Sequence, residues 1–182
     1  MTSKHIKVAT LLANHKIHLF IEKPLSDSLN KITPLITRIK KFNLITMMGC
    51  PLRFHPCIKF TKEYINSKKL GKIMSIQCEN GSFLPDWHED KDYRKRYSAK
   101  KKLGGGVVLT CIHEIDYLYW FFGNPKMTSS MIRRVSDFNL DVEDIASILF
   151  EFKNNIIGEL HLDYLQKYSV RKCKIIGTKG IL

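Results

Sequence analysis

The stretch HLFIEKPLSD, 18–27, begins as an apolar run fit for a buried strand and ends on a carboxylate, an amine and a ring: Glu22, Lys23 and Pro24. Charged residues followed by proline end many apolar runs through solvation and backbone geometry alone. They carry chemistry where the fold opens a crevice beyond the strand end, because an amine or a carboxylate there can exchange protons with a bound molecule. A second group is GGGVVLTCIHEID, 104–116, a glycine turn leading into a helix that bears His113 and Asp116. Imidazole packs and hydrogen-bonds well inside proteins, so a histidine on a helix is most often structural. It also titrates near neutrality, which suits it to relaying a proton. Spacing alone leaves both alternatives open at each place.

The elements that must position these residues follow from periodicity. KHIKVATLLANH sets Ile6, Val8, Ala9, Leu11 and Leu12 at near-helical spacing, ahead of a strand over 17–21. Ser26 or Asp27 is expected to cap a helix carrying Leu29, Ile32, Leu35, Ile36 and Ile39, and 44–49 reads as a second strand. Helix, strand, helix, strand is the alternation of a parallel sheet in an α/β unit, here 1–50. From 51 to 182 the texture changes. A helix near 56–68 is ended by the Gly71 signal and followed by a strand near 72–79. A polar, aromatic loop over 80–102 carries Trp87, His88, Tyr93 and Tyr97. One helix with Val107, Cys111, Ile115, Leu118 and Phe122 as its buried stripe should run from the glycine turn to Gly123. Strands follow within 126–136, 143–152, 156–165 and 170–178, with Asn154 and Asn155 marking a hairpin, which predicts an α+β unit with a mostly antiparallel sheet. Two parallel strands make a marginal sheet, so the first unit reads as the back half of something larger, and KIIGTKGIL stops within a further turn and strand.

Composition bounds the function classes. The chain has 182 residues, 44% hydrophobic and 26% charged, enough apolar material for a sizeable core. No apolar run approaches the roughly 20 residues of a membrane helix, and MTSKHIKVAT lacks a signal peptide's apolar stretch, so a cytoplasmic protein is expected. Five cysteines without C-x-x-C spacing indicate neither a disulfide framework nor a zinc site. The net charge is +13, with DYRKRYSAKKK at 92–102 as its densest basic segment. Since a basic balance speaks to solubility and non-specific attraction, and no nucleic-acid motif is present, specific nucleic-acid binding is not expected.

EKP at 22–24, GGG at 104–106 and HEID at 113–116, in that order, resemble the Gfo/Idh/MocA family of NAD(P)-dependent oxidoreductases. Thr2 to His5 and PLRFHP at 51–56 add to a resemblance that spans essentially the whole chain. It implies a C-terminal remnant of a Rossmann domain followed by an α/β domain with an open, mostly antiparallel sheet, through which family members pair into homo-oligomers. It also implies that Lys23 handles a substrate hydroxyl proton while hydride passes to the nicotinamide of NAD or NADP, with His113 contacting the same hydroxyl. Partial burial would move the lysine pKa toward the working range of an acid or base. His5, Glu22 and Pro24 would lie on the cofactor side, and Asp116 would orient His113 or cap a neighbouring element rather than react. Arg53, Trp87, Tyr93 and Arg94 would face a sugar or nucleotide-sugar substrate. Two departures qualify this. Thr110 and Leu109 stand where many members have an aspartate, and no G-x-G-x-x-G follows a strand, so the phosphate-binding part, about 70 residues, is missing. The chain is therefore expected to be a fragment, inactive alone, with a non-catalytic interaction module and a polyanion binder as the other readings.

Overall fold

The computed structural model describes residues 1–87 and 92–182, and it contains two sheets. Helix α1 (His5–Asn14) leads to strand β1 (Leu19–Glu22), helix α2 (Ile32–Lys41) and strand β2 (Thr46–Gly49). The strands pair in parallel, Leu19 opposite Thr46 and Glu22 opposite Gly49. Ile6, Ala9 and Ala13 on one face of α1 close with Leu19, Leu35 and Leu44 into a small core of their own. The expected cap at Ser26 or Asp27 is not used. The hydroxyls of Ser26 and Ser28 instead accept the N–H groups of Ser28 and Asn30, Leu29 is 88% exposed, and α2 starts only at Ile32. Pro34 accounts for this: a ring without an N–H is tolerated in a first helical turn, and a start at 28 would have put it in the interior.

The second unit opens with α3 (Pro56–Asn66), whose first turn holds a proline and whose Cys57 N–H is accepted by the His55 ring. Strand β3 (Ile73–Gly81) follows, then helices α4 (Val107–Thr110) and α5 (His113–Phe122), and strands β4 (Met127–Arg133), β5 (Ile145–Phe152), β6 (Ile156–Asp163), β7 (Val170–Gly177) and β8 (Gly180–Ile181). The sheet order is β4-β5-β6-β3-β7-β8, antiparallel throughout except where β3 runs parallel to β6. This is the mostly antiparallel sheet that alternation predicts. Asn154 and Asn155 do turn β5 into β6, both with positive φ. One face of the sheet takes α5 through Ile76, Cys78, Leu160, Leu162 and Ile175, against Tyr117, Leu118 and Phe121; the other face stays open.

The single helix expected after the glycines is two. Cys111, at φ −95° and ψ 32°, interrupts it, and α5 is thereby re-phased: Glu114, Tyr117, Leu118 and Phe121 are buried, whereas Ile115 and Phe122 are only partly so. Upstream, the glycine turn is a close-packed joint. Gly106 lies at φ 106° and ψ 153°, a region open only to glycine, and a Cβ on Gly105 would sit 2.1 Å from the Tyr97 carbonyl oxygen. Gly105→Ala should therefore lower unfolding stability by about 2 kcal/mol or more, read from urea melts, since neither backbone can give way without breaking the hydrogen bond from Gly106 N–H to Ser98 O. A wild-type melt in that variant would show that the joint is soft.

Candidate active site

Lys23 follows the last residue of β1, so its position is set by the parallel pairing that ends at Glu22 and Gly49. The Lys23–Pro24 peptide is cis, Pro24 is buried, and the His5 ring N–H donates to the Pro24 carbonyl at 2.8 Å. Beyond this strand end lies a cavity of about 500 Å³, whose walls include Lys23, Met47, Met48, Arg53, Ile112 and Asp116. The Lys23 ammonium donates to the Thr110 carbonyl at 2.6 Å. That carbonyl closes α4 at the Cys111 interruption, so the break in the helix supplies the acceptor that anchors the lysine. Burial disfavours the ammonium and lowers the Lys23 pKa, against the opposing pull of Cys111, Glu114 and Glu22.

His113 is the first residue of α5, and its Nδ1 is buried without a hydrogen-bond partner among the described residues. Burial first, then the charges of Lys23 and Arg171, depress its pKa to about 4, so the ring is neutral at ordinary pH. Asp116 does not orient this ring. It accepts two hydrogen bonds from Arg53, at 2.8 and 2.6 Å, because one turn along α5 its carboxylate faces the turn at Pro51–Phe54. Beneath them Glu114, wholly buried, accepts from Arg171 Nε at 2.8 Å and from Asn80 at 3.2 Å. Burial raises the Glu114 pKa, while Arg171 and Asn80 pull the other way.

Lys23, Pro24 and Arg53 line the cavity at this strand end, Glu22 and His113 are within electrostatic reach of Lys23, and the His5 ring sits behind through its hydrogen bond to Pro24. The loop residues lie elsewhere. Trp87 donates to Ser82 and meets Tyr164 edge-on, the Tyr93 hydroxyl donates to the Phe138 carbonyl, and Arg94 pairs with Asp92 at the surface; none of them lines the cavity beside Lys23. His88 lies outside the described residues. Reading the sequence alone overlooks Glu114 and Arg171. The signal available was alternation: Arg171 shares a period of two with Cys173 and Ile175, the core-facing side of β7. Among the described residues no cluster of His, Cys, Asp and Glu is placed to hold a metal, and no helix is long and apolar enough to cross a membrane.

Two linked α/β units, with an amine from one and an imidazole from the other meeting at a strand end, define a class of fold and not yet a protein. A family model described as GFO/IDH/MocA C-terminal domain matches residues 58–182, and the chain belongs to this family. It is 26% identical to the levoglucosan dehydrogenase of Pseudarthrobacter phenanthrenivorans over 70% of this chain and 33% of that protein. With the myo-inositol 2-dehydrogenase of Thermotoga maritima it shares 24% identity over 98% of this chain and 52% of that one. The WlbA dehydrogenase of Bordetella pertussis, solved with NADH and UDP-GlcNAcA, superposes with a TM-score of 0.88 at 17% identity, covering 99% of this chain and 52% of that one. The chain spans about half or less of the length of these relatives.

The buried imidazole has a measurable consequence. Its pKa is about 4 when folded against an ordinary 6.5, so the unfolded chain takes up the proton first. The stability this group confers is complete above pH 6.5 and is lost as pH falls through about 4. Urea midpoints of the wild type should decline across that window, and His113→Gln should decline less steeply. Parallel profiles would mean that the ring is solvated.

Proposed function

We propose that the intact protein is an oxidoreductase that exchanges a hydride between NAD or NADP and a hydroxyl or carbonyl of a sugar or nucleotide sugar. The observation that carries this reading is the half-buried Lys23 amine at the carboxyl end of a parallel strand, within electrostatic reach of the partnerless His113 ring. The names of the relatives, which include sugar and inositol dehydrogenases, and the NADH in the Bordetella structure support it. On this reading residues 1–50 are the C-terminal part of a Rossmann-like domain and 51–182 the substrate domain, in keeping with two separate cores, and the protein works in the cytoplasm.

The chain's own residues fit the nicotinamide end of a dinucleotide. The cavity offers a largely apolar wall of Met47, Met48 and Ile112. Glu22, Pro24 and His5 would hold that end, and the dinucleotide when bound supplies the hydride acceptor or donor. Lys23, released from the Thr110 carbonyl and in the neutral amine form that burial favours, takes the proton from the substrate hydroxyl during oxidation, becoming the ammonium, and returns it during reduction. His113, neutral in its surroundings, would accept a hydrogen bond from the same hydroxyl and fix its direction. Arg53, held flat by Asp116, closes one wall.

In the full-length gene product, Lys23→Ala should lower kcat for sugar oxidation by a factor of about 100 to 10,000, followed by nicotinamide absorbance. An undiminished kcat would remove the lysine from the reaction and with it this reading.

The open sheet face favours a companion role. Met131, Leu149 and Ile157 are exposed across β4, β5 and β6, as expected of a surface that packs against a second copy of the chain. This is also what a purely non-catalytic interaction module would retain. Leu149→Arg should shift the protein to a smaller species in light scattering; an unchanged mass would place self-association elsewhere or abolish it as a property.

A further inference from the structure

The basic groups around the strand end differ in what they have left to offer. Arg53 spends two donors on Asp116, at 2.8 and 2.6 Å, and Lys23 is turned to the Thr110 carbonyl. Arg171 is different. Its Nε meets Glu114, but neither of its terminal nitrogens has a hydrogen-bond partner among the described residues, and its side chain is 50% exposed. It extends from the helix-facing side of β7, opposite Asn80, toward the first turn of α5. The neighbouring Lys172 and Lys174 point to the open face of the sheet instead, beside Glu79 and Gln77.

The anchoring is what distinguishes this arginine from a surface charge. Glu114 is fully buried and is itself held by Asn80, so Arg171 is tied through its Nε to a fixed acceptor. A fork anchored in this way, with its outer edge free, is shaped for a two-oxygen acceptor. Glu114 directly follows His113 in the first turn of α5, so the bond from Arg171 Nε to Glu114 sets the guanidinium beside the turn that carries the imidazole.

We propose that Arg171 forms an anion subsite in the substrate crevice, with its two terminal nitrogens receiving a carboxylate or a phosphate carried by the sugar. The inference rests on the sugar oxidoreductase reading above and narrows it to acidic or phosphorylated sugars. Glu114 and Asn80 act here as positioning residues, and Lys23 and His113 remain the groups at the reacting carbon.

The test uses the full-length gene product and matched sets of glucose, galactose and mannose, their uronates and their terminal phosphate esters. One of the two anionic sets should exceed the neutral sugars in kcat/KM by about 10- to 100-fold, as expected for hydrogen bonds to a charged group. Which set does so tells carboxylate from phosphate. R171M should bring that ratio close to one, and R171K should retain part of it, since lysine keeps the charge and loses the fork. If R171M does not fold, R171K carries the test through its ratio alone. Wild-type protein that turns over neutral and anionic sugars equally, or variants that lower all three sets by the same factor, would overturn the subsite and leave Arg171 as a structural partner of Glu114. Protein that turns over none of the sets, nor the corresponding UDP-sugars and UDP-uronates, would overturn the oxidoreductase reading itself.

Discussion

The hydrogen bond from the Lys23 ammonium to the Thr110 carbonyl joins the two units at the point where chemistry is proposed. The break in the helix after the glycine turn frees its acceptor. In a continuous helix the Thr110 carbonyl would accept the N–H four residues on; here Cys111 ends α4, and the orphaned oxygen turns to the lysine. The break in turn depends on how the segment enters. Gly105 and Gly106 bring the backbone against Tyr97 and Ser98 more closely than any side chain would allow, which fixes where α4 begins. Three backbone constraints within eight residues therefore set the position of a side chain that belongs to another sheet.

Electrostatics around that bond follows the same economy. The chain carries a large positive excess, yet the charges near the strand end are nearly all matched: Arg53 with Asp116, and Arg171 with Glu114. Burial acts most on Lys23 and His113, whose pKa values both fall, and the Arg171 charge pushes in the same direction. The lysine and the histidine are thereby biased toward their basic forms, the state in which an amine or an imidazole can receive a proton.

Much of this was legible in the sequence, and the reasons differ by residue. The strand end at Glu22 and Lys23 announces itself by an abrupt change from apolar to charged, and the hairpin at Asn154 and Asn155 by residues that tolerate positive φ. The late start of α2 was encoded in Pro34, a local signal that competes with the apolar spacing beginning at Leu29. The break at Cys111 was not legible. VVLTCIHEIDYL holds an apolar period with neither glycine nor proline, and only the packing of two helices of different phase on one sheet imposes the interruption. Pairs such as Arg53 with Asp116 and Arg171 with Glu114 join residues more than fifty positions apart, and no local pattern announces a partner at that distance.

The placement of β3 bears on how the chain comes together in time. It is the first strand of the large sheet to leave the ribosome and sits in its middle, between β6 and β7, the latter antiparallel to it and the former parallel. Neither neighbour exists until the last part of the chain has been made, so β3 must wait with both edges unpaired while α5 and the β4–β5 hairpin emerge. Contacts of such long sequence separation close slowly, because the loop entropy is lost before the pairing is gained. The apolar side of β3, with Ile76 and Cys78, is the surface a chaperone would meet first, and the nascent chain is most exposed to misassembly during the interval before Ile156–Asp163 arrives.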